Sequence, residues 1–163
     1  RPSTLDLLSM QICLYQPEIP PNTGNIARLC AATGTRLHLI EPLGFSLEDR
    51  YLRRAGLDYW PFVQVQVWPG WEAFAATLAS EDQVVLTSTH AEDNLFSFSF
   101  TGDETLVLGP ETKGLPPWMA QRYRHHLRIP IQGTHVRSLN ISNAAAVCLY
   151  EALRQTGRLK NDE

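Results

Sequence analysis

Short apolar runs alternate with helix-spaced segments along the 163-residue chain. Gln11–Tyr15 and Arg36–Ile40 are apolar runs bounded by turn residues, and each reads as a strand. Between them, residues 25–32 are helix-permissive, with Asn22 or Thr23 to cap the start and Gly34 to end it. Runs rich in β-branched residues at 64–67 and 83–87 flank residues 71–78, where Trp71, Phe74, Ala75 and Leu78 recur at helical spacing. Thr105–Leu108 and residues 127–130 are two more strands. Residues 140–155 form a closing helix, with Ala144, Val147, Cys148 and Leu149 on its inner side. Such alternation predicts an α/β domain, a parallel sheet with helices on both faces. No internal repeat, low-complexity tract or linker divides it. Residues 1–9 precede Met10 and read as a loose extension, residues 10–157 as one domain, and 158–163 as a tail.

Composition narrows the class. Apolar residues make up 44% of the chain and include four Trp, five Tyr and six Phe, which excludes a disordered polypeptide. No run approaches the ~18 apolar residues of a membrane helix, and no basic-then-apolar leader opens the sequence, so no membrane partner is expected. Three widely spaced cysteines (Cys13, Cys30, Cys148) without a CxxC argue against a disulfide scaffold or zinc ribbon. A reduced, cytoplasmic protein is the expectation. The net charge of −3 hides an asymmetry: residues 55–112 hold nine acids and no Lys or Arg, whereas residues 113–150 hold five cations, three histidines and no acid. Such a basic segment can attract a polyanion locally, although a solvated surface accounts for the same counts.

Three segments are unusual as scaffold. In the first, Pro17 to Arg28, prolines stiffen a strand-to-helix loop, and Asn22 and Asn25 can bond turns or a ligand. Arg28 is placed here in the first turns of the helix, where a cation opposes the macrodipole; capping asparagines beside a surface arginine are the plainer reading. The second, residues 108–116, follows a strand end, where open α/β sheets bind ligands. It lacks the Lys-Ser/Thr of a phosphate loop, and a glycine-rich connector is the alternative. No GxGxxG occurs, which argues against a dinucleotide-binding Rossmann domain and methyltransferases of that scaffold. In the third, residues 129–143, Ser138, Asn140, Ser142 and Asn143 are more polar groups than capping a helix requires. The five histidines have no metal-ligand spacing, and Cys30 and Cys148 fit packed small hydrophobes, so no metal is expected. A small phosphohydrolase built on residues 109–114 would lack both a metal set and a nucleophile–base pair.

Taken together, in this order and spacing, the segments resemble the motifs of the SPOUT (SpoU–TrmD) RNA methyltransferases. The nearest resemblance is to small tRNA wobble-nucleotide 2′-O-methyltransferases of the TrmL type. Asn22 stands six residues before Arg28; Gly109-Pro110-Glu111-Thr112-Lys113-Gly114 resembles the second motif and Arg137-Ser138-Leu139-Asn140-Ile141-Ser142-Asn143 the third. Glu41-Pro42-Leu43-Gly44-Phe45 and residues 52–59 also match the subfamily, and the resemblance runs from about Met10 to Gly157. It departs at Thr87-Ser88-Thr89-His90, where a basic residue is common after the threonines, and in a longer loop at 132–136.

The resemblance implies a C-terminal deep trefoil knot, an exception to ordinary chain connections. It further implies methyl transfer from S-adenosylmethionine to the ribose 2′-hydroxyl of nucleotide 34, cytidine or uridine, of tRNA, leaving S-adenosylhomocysteine. Leu86, Thr87, Gly109, Glu111, Gly114, Ile129, Ile131, Ser138, Leu139 and Asn140 would bind the cofactor. Arg28, Asn22, Glu111, Ser138 and Asn140 would carry catalysis, with Arg28 acting in a homodimer on the partner's site. A guanidinium stays protonated, so Arg28 suits orientation and charge stabilisation, leaving deprotonation to a phosphate or water. Arg50, Arg53, Arg54, Lys113, Arg122, Arg124 and Arg137 would bind RNA, and Trp118 and Met119 would contribute to the dimer interface with the apolar side of residues 140–155. The alternatives are a catalytically silent RNA-binding module and a 2′-O-methyltransferase for another RNA site.

Overall fold

Period-two alternation sorts the strand side chains into two layers. The computed structural model describes residues 9–159. Its elements run β1 (Gln11–Tyr15), α1 (Pro20–Thr33), β2 (Arg36–Ile40), α2 (Arg50–Gly56), β3 (Val65–Trp68) and α3 (Trp71–Ala75). They continue with β4 (Val84–Thr87), the two-residue β5 (Asp93–Asn94), β6 (Thr105–Leu108), α4 (Pro117–Arg122), β7 (His125–Arg128) and α5 (Ile141–Gln155). The sheet order is β3-β2-β1-β6-β4-β7-β5 and every pairing is parallel. Ile12, Leu14, Val85, Leu106 and Leu108 face a layer supplied by Ile26, Ala27 and Cys30 of α1 and Ala145, Cys148, Leu149 and Ala152 of α5. Cys13, Val84, Leu86 and Val107 point the other way, onto Trp71 and Phe74 of α3, Met119 of α4, and Tyr123. Both faces of the central strands are therefore buried, which requires the near-continuous apolar runs seen in the sequence.

The expected strands and the three expected helices are present, with shifted ends. Helix α1 begins at Pro20 rather than Asn25, because Pro20 and Pro21 occupy first-turn positions that need no N–H donor. Asn22 and Thr23 thus lie inside the helix and do not cap it; the N-cap is Ile19, without a side-chain bond. Gly34 ends the helix as expected, in the left-handed conformation at φ 66°. Arg28 consequently sits in mid-helix, and the macrodipole argument no longer applies to it. Strand β7 starts two residues early and stops before Pro130, which cannot donate to a ladder. Met119 is fully buried in the core, so it is unavailable to a dimer interface, whereas Trp118 is 39% exposed. The extension expected at residues 1–9 falls, apart from Ser9, outside the described residues, as do positions 160–163 of the tail.

One buried polar group makes stability depend on pH. His38, on β2, accepts the Trp68 indole N–H at Nδ1 (3.0 Å), leaving Nε2 to donate to Gln11 Oε1. Burial, aided by Arg36, lowers its pKa from 6.5 to about 4. The unfolded chain then binds more protons below pH 6.5, so this contribution to stability is whole above that value and drains as pH falls towards 4. At pH 5 the loss should be about 2 kcal/mol relative to pH 7. Urea unfolding of wild type and His38→Gln at both pH values checks this. A wild-type pH dependence no steeper than that of the variant would contradict it.

Candidate functional site

Loops leaving the carboxyl ends of the adjacent strands β6, β4 and β7 enclose a cleft of about 600 Å³, within the size range of small-molecule sites. Its walls are residues 87–90 after β4, 108–115 after β6, and 129–131 and 138–141 on the path from β7 into α5. Leu108, Leu127 and Ile129 give it an apolar side, while Thr87, Ser88, Thr89 and Ser138 add hydroxyls. At Gly109 the backbone of the second loop folds back on itself: a Cβ there would stand 2.6 Å from the Leu115 nitrogen and 2.7 Å from the Gly114 carbonyl carbon. Gly114 closes that turn at φ +68°, its N–H donating to the Pro110 carbonyl (2.9 Å). Only glycine serves well at both positions, one for space and one for φ.

Side chains from all three unusual segments meet at the lip of this cleft. The Glu111 carboxylate accepts the backbone N–H of Glu18 (2.8 Å) and of Ile19 (3.2 Å), and a long bond from Asn22 Nδ2 (3.4 Å). The entry of α1, which has no cap of its own, is thus capped by a carboxylate 92 positions away, where a negative charge is favoured. Asn140 Nδ2 donates to Asn22 Oδ1 (3.1 Å), and Asn140 Oδ1 accepts both the N–H (2.9 Å) and the hydroxyl (2.7 Å) of Ser142, capping α5. In return, the Glu18 carboxylate accepts the N–H (3.1 Å) and hydroxyl (2.7 Å) of Thr112. These bonds, with Lys113 adding a smaller share, hold Glu18 below the usual carboxylate range.

The expected cofactor residues Thr87, Gly109, Glu111, Gly114, Ile129, Ile131, Ser138, Leu139 and Asn140 all line the cleft. Leu86 does not. Its side chain is on the opposite face of β4, 2% exposed against the α3–α4 layer, because alternation along the strand gives the cleft to Thr87. Ser88, Thr89, His90, Leu127 and Ala144 also line it outside the expected cofactor set, as do Leu108 and Leu115 from the second segment; the rule that ligands lie beyond strand carboxyl ends points to most of them. Arg28 is outside the cleft of its own chain: it is exposed, with its guanidinium carbon 4.9 Å from the centre of the Tyr59 ring. Arg50, Arg53 and Arg54 are exposed on α2, and Lys113 and Arg137 on the cleft loops. Arg122 and Arg124 belong elsewhere. They flank the start of β7, at the sheet edge opposite the cleft, and their charge is spent on Glu72 (2.5 Å) and Glu81 (2.9 Å) for Arg122 and on Asp82 (3.0 Å) for Arg124. Among the described residues, no group of three His, Cys, Asp or Glu is placed to hold a metal ion.

The cleft thus lies at the carboxyl edge of a parallel sheet and is ringed by three cross-bonded loops. The profile of the SpoU rRNA Methylase family matches residues 9–150. The chain belongs to the SpoU methylase family. Within that family, the tRNA (cytidine(34)-2′-O)-methyltransferase of Methylovorus glucosotrophus is 53% identical over 146 residues, covering 88% of this chain and 94% of its own. A solved structure concerned with 2-OH methylation of C/U34 on tRNA is 44% identical, with a TM-score of 0.83 over 90% of this chain and 95% of that one. The SpoU methyltransferase AviRb of Streptomyces viridochromogenes, solved with the cofactor AdoMet, is 28% identical, with a TM-score of 0.77 over 91% of this chain and 60% of its own. This SpoU methylase therefore shares its α/β fold and its enzyme class with relatives that match it nearly end to end.

Proposed function

We propose that this chain transfers a methyl group from S-adenosylmethionine to the ribose 2′-hydroxyl of nucleotide 34 of tRNA, cytidine or uridine. The observation that carries the reading is the convergence of Asn22, Glu111 and Asn140, one from each motif, at the lip of the 600 Å³ cleft. The site suits the cofactor on its own terms, being nucleoside-sized, apolar on one side and lined by closely approaching backbone at Gly109. When bound, the cofactor supplies a methyl group on a sulfonium centre and leaves as S-adenosylhomocysteine. Leu108, Leu127 and Ile129 offer the apolar side, and the turns of residues 109–114 and 138–140 offer backbone polar groups. Glu111 and Asn140 bond to the other loops, Glu111 to the Glu18 and Ile19 N–H groups and Asn140 to Asn22, so they hold the loops in place. Arg28 orients the ribose and stabilises charge developing on the 2′-oxygen, reached from a second protomer because its own chain keeps it outside the cleft. A homodimer, a knotted path for residues 129–140 past residues 109–114, no metal requirement and a cytoplasmic location complete the reading.

The test is labelled methyl transfer in excess chelator to tRNA taken from cells lacking this protein, with the product mapped by resistance to alkaline cleavage. Incorporation at nucleotide 34 is expected; incorporation only elsewhere, or none, would reject the reading. RNA binding should follow the exposed cations rather than the paired ones. Arg53→Gln with Arg54→Gln should reduce the salt slope of tRNA binding by about 0.7–0.9 for each phosphate that is no longer neutralised. Arg122→Gln and Arg124→Gln should leave it unchanged, since those charges already face Glu72, Glu81 and Asp82. The reverse pattern, read by filter binding from about 50 to 200 mM salt, would move the RNA surface to the other edge of the sheet.

A further inference from the structure

We propose that Glu18 and Thr112 are positioning residues for the cofactor, forming with Glu111 a crossed clasp that fixes the loop of residues 109–114. The inference rests on the reading of the cleft as a cofactor site. Two neighbouring residues of the second loop are tied to the first loop in opposite senses. Glu111 reaches across to accept the N–H groups of Glu18 and Ile19, at 2.8 and 3.2 Å. Glu18 reaches back to accept the N–H of Thr112 at 3.1 Å and its hydroxyl at 2.7 Å. Each carboxylate bridges the two loops through more than one donor, Glu111 through two backbone N–H groups of the first loop and Glu18 through both donors of Thr112. Both together fix its position and its orientation. The depressed Glu18 pKa agrees with a carboxylate held charged by these donors.

The clasp acts on the cleft because its members bracket the cleft wall. Glu111, Thr112, Lys113 and Gly114 line the cavity, whereas Glu18 does not. Glu18 therefore has no surface to offer the ligand and works through Thr112. Its own loop is held from behind as well: the Gly44 N–H donates to the Pro17 carbonyl (2.9 Å), and a Cβ on Gly44 would stand 2.8 Å from the Glu18 Cα. The anchor is thus rigid on the side away from the cofactor. Pre-set loop geometry raises affinity by sparing the ordering cost on binding.

The experiment compares wild type, Glu18→Ala, Glu18→Gln and Thr112→Val, using calorimetry with S-adenosylhomocysteine as the probe and filter binding with tRNA, both well below each variant's melting temperature. Glu18→Ala should weaken binding of the probe by about tenfold, the scale of one charge-assisted hydrogen bond. Thr112→Val, which keeps the backbone donor, should weaken it less, and Glu18→Gln should recover part of the loss. Affinity for tRNA, which Lys113 of this loop shares with the cations of α2, should change much less than affinity for the probe in all three. A merely structural role would lower the melting temperature without this split. If Glu18→Ala does not fold, Thr112→Val alone decides. Probe affinity equal to wild type in the variants overturns the inference, and so does a parallel loss for probe and tRNA. A wild type that binds no probe removes the cofactor reading and this inference together.

Discussion

Replacing Arg28 with Ala should lower methyl transfer by roughly 10²-fold or more, the scale of losing one preorganised electrostatic group, while leaving the fold intact. The structure explains why the fold should survive. Arg28 is exposed on the outer side of α1, and its stacking on the Tyr59 ring, at 4.9 Å, is worth only about 0.5–1 kcal/mol at an exposed site. Binding of S-adenosylhomocysteine should also survive, because the contact proposed for Arg28 at the partner's site is with the ribose and its 2′-oxygen, while the cleft lining of each chain is left unchanged. The loss should therefore appear in turnover alone. Arg28→Lys separates charge from shape: a point charge replaces a planar fork, so little activity should return if the fork contacts ribose and phosphate together. Mixing Arg28→Ala with Asn140→Ala subunits tests the cross-subunit placement. Each variant alone should be nearly inactive, and the mixed dimer should regain one competent site. Near-wild-type transfer by Arg28→Ala, with circular dichroism confirming the fold, would take Arg28 out of the mechanism.

The sheet is legible in the sequence because its strands are buried on both faces. Ile12, Cys13 and Leu14 must all be apolar when neighbours lie above and below, and a run of that kind stands out. Helix α4 is not legible, for the opposite reason. It has six residues, its first turn contains Pro117, and only Met119 is buried, so no period can form; the first-turn proline is the available signal. Among the positions of helix α2 whose burial is described, Leu52 is likewise the one buried residue, among exposed cations. At the site, the motifs name residues that the fold brings together, but not the bonds they make there. Glu111 reads as a group facing a ligand, yet its oxygens cap α1 from 92 positions away, a long-range bond that no local pattern records. The sign of their segment marks Arg122 and Arg124 as RNA ligands. Their partners, Glu72, Glu81 and Asp82, come from the acidic part of the chain, so the two charge blocks cancel locally once folding brings them together.

Gly109→Ala should weaken binding of S-adenosylhomocysteine roughly 10–100-fold, the scale at which an inserted methyl group strains a packed site. The methyl would meet the Leu115 nitrogen at 2.6 Å and the Gly114 carbonyl carbon at 2.7 Å. Both are backbone atoms, so no side chain can swing aside to make room. The loop must open instead, and that movement shifts Glu111 and Thr112, which tie it to the entry of α1. Gly114 supplies the contrast within the same loop. Nothing lies within 4 Å of a Cβ built there, so its constraint is conformational, set by φ +68°. Asn tolerates that region better than other side chains, and Gly114→Asn should cost only a small fraction of the Gly109→Ala effect. Calorimetry on the two variants, with melting temperatures measured beside it, separates space from backbone conformation. Equal affinities for Gly109→Ala and wild type would mean that the close approach at Gly109 does not shape the cofactor cleft.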